Sequence, residues 1–544
     1  MAKLTLILGN GACARSIAEG LSAEGVEIIV ASTGGISDPS FAPISKDKAE
    51  GSVELLTKTR LLTCSGAIGS FIISMERDGE NITRSVAHVI IAEEDVREQN
   101  VSLYGLSPSP RVLSLSRIVQ PLSEITDKEY IFSKVKKAVF LTGLVKESNP
   151  VIMEEVMRSC LDMQSNFKVQ TYIVTQNLKV AGNGLEALYR KTREAGVVYI
   201  KLTDNMPEIR QDDDGSVSME FRDEITLEEF RLAPDIVIVD ETISPSDYLR
   251  DLAVIFGIDR DQAGFVQADN VHRLSVFTNR KGIMVAGPAR GIQSPADQII
   301  DAGNAVISAI GLIEGRVTAL EDMAEIDQGR CIHCLTCYRL CPYRAIILDP
   351  RVTILSDACE GCGICAAECP RGAVKTNNPA GSEIPTRITE YNKSRKREAF
   401  VPLLVAFCCR RSASMAGELA SCLGHKLPQG LMVIEVPCAG SISIEHILIA
   451  FKNNADGVLV LTCHEGNCHS ERGNIYAHRR AGHIAGFLPN IGLEEERLVV
   501  ETLASNMAVE FTEITNNFEK KILKLGPTPL ALHLSQRPGL RISI

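Results

Sequence analysis

The apolar and polar positions of residues 4–33 occur in blocks that predict a strand, a turn, a helix and a second strand. The first apolar run ends at Gly9, and the second is "EIIVA". Between these two runs, apolar residues recur at helical spacing. This order is typical of the first β-α-β unit of a dinucleotide-binding fold, in which Gly9 and Gly11 allow the tight turn and Ala14 allows close helix packing. The second strand ends in "AST", without the acid that usually holds a ribose. The alternative is an ordinary β-α turn that needs glycine only for its backbone.

The same alternation of strands and helices continues from about Gln120 to Gly282. Runs such as "KAVFLTG", "VQTYIVTQN" and "PDIVIVDE" are rich in β-branched residues and suit a parallel sheet buried on both faces. The region contains no GxGxxG motif, so its residues do not support direct nicotinamide binding. The chain therefore lacks the nucleotide-binding fingerprint that a self-sufficient NAD(P)H-dependent reductase would need.

The segment from Gly282 to Ile313 predicts a strand, a turn at Gly287 and a long helix. Ser294 suits the N-cap, Pro295 suits the first helical position, and Asp297 follows the cap by three residues. The free amides and dipole of such a helix start can receive a phosphate or a reduced flavin. A capped helix without a ligand is the alternative.

Composition narrows the range of functions. The chain has 544 residues, of which 45% are hydrophobic and 23% charged, as expected for a globular protein of several domains. Its net charge of −11 argues against sequence-independent binding to the phosphates of nucleic acid. No uninterrupted apolar run reaches the roughly 18 residues of a membrane span, and the start of the chain lacks the apolar length of a signal peptide. We therefore expect a cytoplasmic protein without a membrane span.

Thirteen of the 17 cysteines form motif-like groups, and the first eight repeat the spacing C-x2-C-x2-C-x3-C-P. This is the bacterial two-cluster ferredoxin run, in which the fourth cysteine of each motif ligates the cluster of the other motif. We therefore predict two 4Fe–4S clusters, since zinc sites use four ligands in pairs. The first cluster is expected on Cys331, Cys334, Cys337 and Cys369, and the second on Cys341, Cys359, Cys362 and Cys365.

The remaining motif cysteines lie at or just after predicted strand ends of a last α/β region. Loops of a parallel sheet converge at that edge, so these thiolates can meet there. They are Cys408, Cys409, Cys438, Cys463 and Cys468. From the residues alone, a 2Fe–2S cluster, a zinc ion and buried structural cysteine all stay open. His464 and His469 are either further ligands or hydrogen-bonding neighbours.

Together these motifs resemble one family combination. The run from Met1 to about Ile313, with "GNG", "GAIGSF", "VAGNGLEALYRKTREAGV" and "AGPARGI", and the ferredoxin pair that follows it, is similar to the A subunit of heterodisulfide reductase. It also resembles the related B subunit of the quinone-interacting membrane-bound oxidoreductase. The later "FCC", "PCAGSI" and "LTCHEGNCH" resemble the delta subunit of methyl-viologen-reducing hydrogenase, an iron–sulfur adaptor.

The resemblance implies an FAD protein that passes electrons between a flavin, two 4Fe–4S clusters and one 2Fe–2S cluster within a larger complex. FAD would then be held by Gly9, Gly11, Ala14 and the segment containing Gly287, Ser294 and Asp297. The resemblance also implies anaerobic metabolism and partners such as heterodisulfide-reductase-like, hydrogenase, formate dehydrogenase or quinone-interacting subunits. Any membrane attachment would be peripheral, through a partner subunit. No general acid, base or nucleophile stands out.

The chain departs from the family pattern at several positions. The delta subunit usually carries a third cysteine after its Cys-Cys pair, where this chain has Ser412. Four other cysteines suffice for a cluster, and Cys408 substitutes if Cys409 faces away. Glu93 and Glu94 stand where a flavin enzyme has small neutral residues, and acids facing the diphosphate would repel it. A flavin-free scaffold and electron wire is therefore the second hypothesis.

These observations predict an α/β architecture with four modules. They are a Rossmann-like FAD-binding domain (1–118 and 283–318), a second nucleotide-binding-like α/β domain (119–282), an inserted α+β ferredoxin domain (319–378) and a delta-subunit-like 2Fe–2S α/β domain (399–544). Residues 379–398 are polar, contain Pro and Gly and show no periodicity, so they are expected to form a linker.

Overall fold

The computed structural model describes residues 4–35, 52–119, 134–203, 206–223, 226–266, 275–314, 323–376, 380–394 and 400–529. These residues form two compact units. The first contains residues 1–92, 250–286 and 300–544, and the second contains residues 93–249 and 287–299. The predicted α/β fold class is confirmed, since strands and helices alternate around parallel sheets.

The first unit begins with the predicted β-α-β element. Its elements are β1 (Thr5–Leu8), α1 (Ala12–Ala23), β2 (Ile28–Ala31), β3 (Val53–Leu56), β4 (Thr59–Ser65), β5 (Phe71–Arg77), β6 (Glu80–Val86) and β7 (His88–Ile91). β1, β2, β3 and β7 are parallel, and Leu8 lies opposite both Ala31 and Ile91, so these strands end at one edge. β4, β5 and β6 form a separate antiparallel sheet.

The second unit contains another parallel sheet and two antiparallel additions. Its elements are β8 (Asp95–Gln99), β9 (Val112–Ser114), α2 (Leu115–Val119), β10 (Lys137–Thr142), α3 (Pro150–Phe167), β11 (Gln170–Thr175), α4 (Leu185–Glu194), β12 (Val198–Lys201), β13 (Glu208–Gln211), β14 (Val217–Arg222), β15 (Glu229–Leu232), β16 (Ile236–Val239) and β17 (Glu241–Pro245). The parallel sheet has the order β12-β11-β10-β16-β9.

This pairing differs from the predicted domain limits. β8 pairs with β17 and β9 pairs with β16, so residues 93–118 belong to the second unit although the sequence assigned them to the first domain. Conversely, residues 250–286 belong to the first unit, including most of α5 (Asp247–Phe256). Strand partners distant in sequence decide these limits, and periodicity does not reveal them.

The chain then completes the first sheet with β18 (Ile283–Val285), which pairs with β7, and continues into α6 (Pro295–Ile313). Ala302, Ala305 and Ala309 of α6 are buried in the same core as α1. Among the described residues, α6 is one helix whose length and mean hydropathy of 1.2 would allow a membrane span.

The cysteine-rich segment is small and contains short elements only. They are β19 (Ala324–Ile326), α7 (Thr336–Leu340), β20 (Ile346–Leu348), β21 (Val352–Ile354), α8 (Ile364–Ala367) and β22 (Val374–Thr376). β19 pairs with β22, and β20 pairs with β21. The chain therefore forms two similar halves that contain one cysteine motif each.

The expected linker is corrected by the structure, because α9 (Ala380–Ser394) occupies most of residues 379–398. Ile384 and Ile388 are fully buried in the core of the last α/β region, and Tyr391 packs against the same core. Their spacing of four and three residues is a short apolar stripe on one helix face. Polar neighbours and an internal proline concealed this stripe in the sequence.

The last region is a four-stranded parallel sheet with helices on both faces. Its elements are β23 (Leu404–Cys409), α10 (Met415–Cys422), β24 (Leu431–Val436), α11 (Ile444–Lys452), β25 (Gly457–Thr462), α12 (Gly473–Phe487), β26 (Leu498–Thr502) and α13 (Ala508–Leu525). The strand order is β24-β23-β25-β26. The chain reverses its winding between β23 and β25, and ligands of such sheets bind at this switch point.

Candidate metal centres

Two small cavities in the cysteine-rich segment are each lined by four cysteines. Each cavity has a volume of about 20 Å³. One is lined by Cys331, Cys334, Cys337 and Cys369, and the other by Cys341, Cys359, Cys362 and Cys365. The structure thus groups the fourth cysteine of each motif with the three cysteines of the other motif, as the spacing predicted.

The two motifs adopt the same unusual backbone shape around their second cysteine. His333 and Leu335 flank Cys334 with φ of 53° and 59°, and Gly361 and Gly363 flank Cys362 with φ of 61° and 74°. Positive φ is costly for leucine and is tolerated by glycine. Conformations of this kind turn three cysteines of a short loop toward one point.

The cysteine thiols of these cavities suit cationic metal centres. Burial raises the pKa of Cys337, Cys362 and Cys365, so these groups favour the neutral thiol when no cation is near. Metal ions bind the thiolate and offset this penalty. Backbone amides also point at the sulfurs that end each motif, with 3.4 Å from Ala345 N to Cys341 Sγ and 3.2 Å from Ala373 N to Cys369 Sγ.

Four cysteines meet at the switch point of the C-terminal sheet. Cys409 ends β23, Cys438 follows β24, and Cys463 follows β25 directly. The buried side chains of Cys438, Cys463 and Cys468 form one contact cluster. Cys409 joins them through a hydrogen bond with Cys463 that lowers the Cys409 pKa. A Cβ on Gly473 would collide with Cys438 Sγ, so the cysteines need glycine at that position.

Cys408 lies on the other face of the sheet. Successive residues of a strand point to opposite faces. Cys409 faces the core that contains Phe407 and Val436, whereas Cys408 is buried among Leu404, Ala406 and other residues of the second core. The structure therefore does not bring Cys408 to the other four cysteines. Ser412 is fully buried, and it is one of the groups that lower the Cys409 pKa.

Hydrogen bonds among the four C-terminal thiols shift their pKa values in opposite directions. Hydrogen bonds from Cys438 and Cys463 lower the pKa of Cys468, and the same bonds raise the pKa values of the two donors. No group of three or more His, Cys, Asp or Glu side chains in the described ranges has the arrangement of a single metal-ion site.

The two candidate histidines have other partners. His464 Nε2 lies 3.3 Å from Met507 Sδ, and His469 Nδ1 lies 3.1 Å from the Tyr343 hydroxyl. These contacts match the alternative in which the histidines are hydrogen-bonding neighbours. The donor set that remains is four thiols, which suits soft metals and iron–sulfur clusters.

The second cysteine motif packs directly against the C-terminal cysteines. Cys362 contacts the cluster of Cys438, Cys463 and Cys468. The backbones approach so closely that a Cβ on Gly363 would lie 2.6 Å from Ser441 Cβ. A Cβ on Gly440 would lie 2.6 Å from the side chain of Ile364. Glycine is therefore needed on both sides of this contact.

Polar side chains that the sequence analysis missed hold the same contact. The Tyr343 hydroxyl lies 2.9 Å from Ser470 Oγ, and Arg480 Nη1 donates to Glu368 Oε1 at 2.5 Å. Arg480 also donates to the carbonyl oxygen of Gly440. The side-chain partners are more than 100 residues apart in sequence, and no local pattern marks them.

The second motif also contacts the nucleotide-fold part of the first unit. Ala67, in the "GAIGSF" element, packs against the buried group formed by Tyr343, Ala345 and Ala358. Asn279 Nδ2 donates to the carbonyl oxygen of Pro342 at 2.6 Å. The cysteine set that contains Cys341 therefore lies between this part and the C-terminal sheet.

The predicted flavin residues of the first unit form the expected turn. Gly9 has φ of 139°, Gly11 is the N-cap of α1, and Ala14 is fully buried against the sheet. These features fit the diphosphate half of a dinucleotide. At the end of β2, the Ser32 hydroxyl accepts a hydrogen bond from Gly34 N, and no carboxylate is available there for a ribose among the described residues 28–35.

The predicted start of α6 is confirmed. The helix begins at Pro295, and Ser294 Oγ accepts a hydrogen bond from Asp297 N at 3.3 Å. Ser294 also donates to the Asp297 carboxylate at 2.7 Å. Gly287 begins a short 3-10 turn with φ of 62°. Ser294 and Asp297 thus cap the helix, and their role toward a flavin stays a prediction.

Glu93 and Glu94 are partly buried acids that follow β7. Burial, followed by their like-charged neighbours, raises the pKa of each carboxyl to about 7. Glu94 Oε1 is buried without a hydrogen-bond partner. Near neutral pH these acids are therefore partly protonated, which weakens the repulsion that they exert on a nearby anion.

Glu93→Gln/Glu94→Gln is expected to stabilise the protein at pH 7.5 and to change little at pH 5. The raised pKa values mean that the folded protein binds these two protons more tightly than the unfolded chain does. Their contribution to stability is therefore complete below pH 4.5 and is lost as the pH rises through 7. After a discount for partial exposure we expect a gain of about 2 kcal/mol at pH 7.5. Melting curves of parent and variant at both pH values test this, and an equal shift at both would contradict it.

Comparisons with known proteins support two parts of the chain. A family model described as "Methyl-viologen-reducing hydrogenase, delta subunit" matches residues 404–526, and a "4Fe-4S dicluster domain" model matches residues 324–376. The iron-sulfur D subunit of the F420-non-reducing hydrogenase of Archaeoglobus profundus is 35% identical over 130 residues, covering 24% of this chain and 95% of that protein.

A longer match covers most of the chain. The A subunit of the ferredoxin:CoB-CoM heterodisulfide reductase of Methanosarcina mazei is 26% identical over 355 residues, covering 64% of this chain. The match covers 44% of that relative, so the chain spans less than half of its length. Thioredoxin reductase of T. acidophilum has a TM-score of 0.39 at 15% identity, covering 58% of this chain and 98% of that chain. The matches to the heterodisulfide reductase A subunit and to the hydrogenase delta-subunit family confirm the two resemblances inferred from the motifs.

Proposed function

Because the chain belongs through residues 404–526 to the methyl-viologen-reducing hydrogenase delta-subunit family, we propose that it is an electron-transfer subunit of a multi-subunit oxidoreductase. The observation that carries this proposal is the contact of Cys362 with the C-terminal cysteines. This contact joins the set that contains Cys341 to the C-terminal set, and both cysteine sets of the cysteine-rich segment contribute to one buried cluster. A continuous series of one-electron centres is what an electron relay requires.

The ligand sets would be used as follows. Cys331, Cys334, Cys337 and Cys369 hold an outer 4Fe–4S cluster, and Cys341, Cys359, Cys362 and Cys365 hold an inner one. Cys409, Cys438, Cys463 and Cys468 hold a 2Fe–2S cluster. Iron–sulfur clusters supply one-electron transfer, with potentials that depend on hydrogen bonds to sulfur and on exposure. The inner cluster is the junction, since its ligands contact both the C-terminal sheet and the "GAIGSF" part.

FAD is proposed as the two-electron centre, with Gly9, Gly11 and Ala14 of the first unit accommodating its diphosphate. The other residues predicted from the sequence, Gly287, Ser294 and Asp297, belong to the second unit, and their role toward a flavin stays a prediction. A flavin would accept or deliver electron pairs that the clusters carry singly. The chain matches less than half of the heterodisulfide reductase subunit, so a role in heterodisulfide chemistry is itself part of the proposal.

The iron and flavin content of anaerobically purified protein tests the proposal. We expect about ten iron atoms and about as many acid-labile sulfides per chain, as two 4Fe–4S clusters and one 2Fe–2S cluster require. One extractable FAD is also expected. Only a trace of iron and sulfide would contradict the relay.

A flavin-free scaffold and wire is the second candidate. It is favoured by the missing acid after β2 and by the acids Glu93 and Glu94 at positions where a flavin enzyme has small neutral residues. In this case the first unit would be a docking surface, and the chain would conduct electrons between its partners. Full iron content without flavin absorbance, even after incubation with FAD, would favour this candidate over the first.

The partners are proposed to be redox subunits that work in the cytoplasm. Heterodisulfide-reductase-like, hydrogenase, formate dehydrogenase and quinone-interacting subunits are the candidates, the last of them implying peripheral membrane attachment. Purification of the complex from native lysate without oxygen, followed by mass spectrometry, distinguishes them. Recovery of the chain alone at full cluster content would argue against a stable complex.

A further inference from the structure

The outer cysteine set lies at the surface of the protein. Cys334 is exposed, whereas Cys365 of the inner set is buried. Beside it, the side chain of Ile332 is 59% exposed, and Pro370 and Arg371 line the same cavity as Cys334. An exposed apolar residue beside an exposed ligand allows a redox partner to come close, so the distance over which an electron leaves the protein is short. The inner set, in contrast, is covered on two sides.

Basic residues surround this exposed ligand. Arg330, Arg339 and Arg371 are exposed, and Arg339 Nη2 donates to the carbonyl oxygen of Cys334 at 3.1 Å. The whole chain carries a net charge of −11, so this local excess of positive charge runs against the average.

Acidic residues near this surface are outnumbered by basic ones. Glu325 lies opposite Lys375 in the pairing of β19 with β22, and Asp327 accepts a hydrogen bond from Gly329 N at 3.0 Å. The three arginines and Lys375 therefore exceed these two acids around the exposed cysteine and Ile332.

We propose that Arg330, Ile332, Arg339 and Arg371 form an outer-cluster face that docks an acidic one-electron carrier protein. The proposal rests on the proposed relay function and names the partner of its exposed end. Opposite charge on the carrier would steer the encounter, and the apolar residue would allow close approach of the two centres. One electron passes between the carrier and the outer cluster, so one centre is oxidised as the other is reduced, and no bond is made or broken.

Charge reversal tests the outer-cluster face. The variant Arg330→Glu/Arg371→Glu leaves Arg339 on its carbonyl partner. Lys520→Glu/Lys524→Glu makes the same charge change at exposed positions of α13 and is the matched control. Each protein, at verified full iron content, is mixed in a stopped-flow instrument with a reduced small acidic two-cluster ferredoxin, and separately with methyl viologen radical cation.

We expect the arginine variant to react with the acidic ferredoxin about tenfold or more slowly at low ionic strength, because steering depends on complementary charge. Added salt should slow the parent and remove this difference. The lysine variant, and all reactions with methyl viologen, should stay within about threefold of the parent. Equal rates of parent and arginine variant with the ferredoxin would overturn the docking proposal, as would an equal loss with both reductants. Missing iron in the parent would instead refute the relay itself.

Discussion

Cys409→Ala is expected to lose the C-terminal cluster, which is two of about ten iron atoms, whereas Cys408→Ala is expected to retain all of them. The two cysteines are adjacent and almost equally buried, with 4% and 0% exposure. They differ in direction, because Cys409 reaches the thiols at the switch point and Cys408 is buried in the opposite core. The pair is thus a matched test of ligand identity.

Iron analysis and low-temperature EPR of the reduced variants measure this difference. Loss of Cys409 removes one ligand from a set of four, while loss of Cys408 creates only a small cavity that costs about 1 kcal/mol. The signals of the two 4Fe–4S clusters should survive in both variants. Iron lost from Cys408→Ala but retained in Cys409→Ala would reverse the assignment.

The sequence could predict features that depend on local spacing. The two cysteine motifs are such a case, since their repeat already contains the exchange of fourth cysteines that the structure shows. The turn at Gly9 and the cap at Ser294 are also local, because the backbone geometry of a turn or cap is set within a few residues. The geometry of parallel sheets likewise predicted that the C-terminal cysteines converge at one sheet edge, because parallel strands end at the same edge.

Features that depend on distant partners were not predictable. The direction of Cys408 and Cys409 follows from which helices cover each face of the C-terminal sheet, and the sequence left both cysteines open as ligands. The domain limits were shifted because β8 and β9 find their partners more than 100 residues later. The junction between the cysteine-rich segment and the C-terminal sheet depends on glycine contacts and on buried charge, which carry no periodic signal.

Arg480→Met is expected to destabilise that junction far more than Arg479→Met. Both arginines contact Glu368, but the side chain of Arg480 is 5% exposed and that of Arg479 is 51% exposed. Losing Arg480 leaves Glu368, whose side chain is 15% exposed, with Arg479 as its remaining arginine, and removes the Arg480 hydrogen bonds to two backbone carbonyl oxygens. We expect this to cost about 2–4 kcal/mol, whereas an exposed ion pair contributes about 1 kcal/mol or less. Methionine keeps most of the side-chain length, so the difference reports charge and hydrogen bonding.

The readout is electron transfer across the junction as well as stability. Arg480 Nη2 and Nε donate to the carbonyl oxygens of Gly440 and Ile442, in the loop that follows Cys438. Glu368 immediately precedes Cys369, a proposed ligand of the outer cluster. Loss of Arg480 should therefore lower the urea midpoint for bleaching of cluster absorbance and slow the reoxidation of the C-terminal cluster by the 4Fe–4S clusters. Equal changes in the two methionine variants would show that the buried ion pair does not hold the junction together.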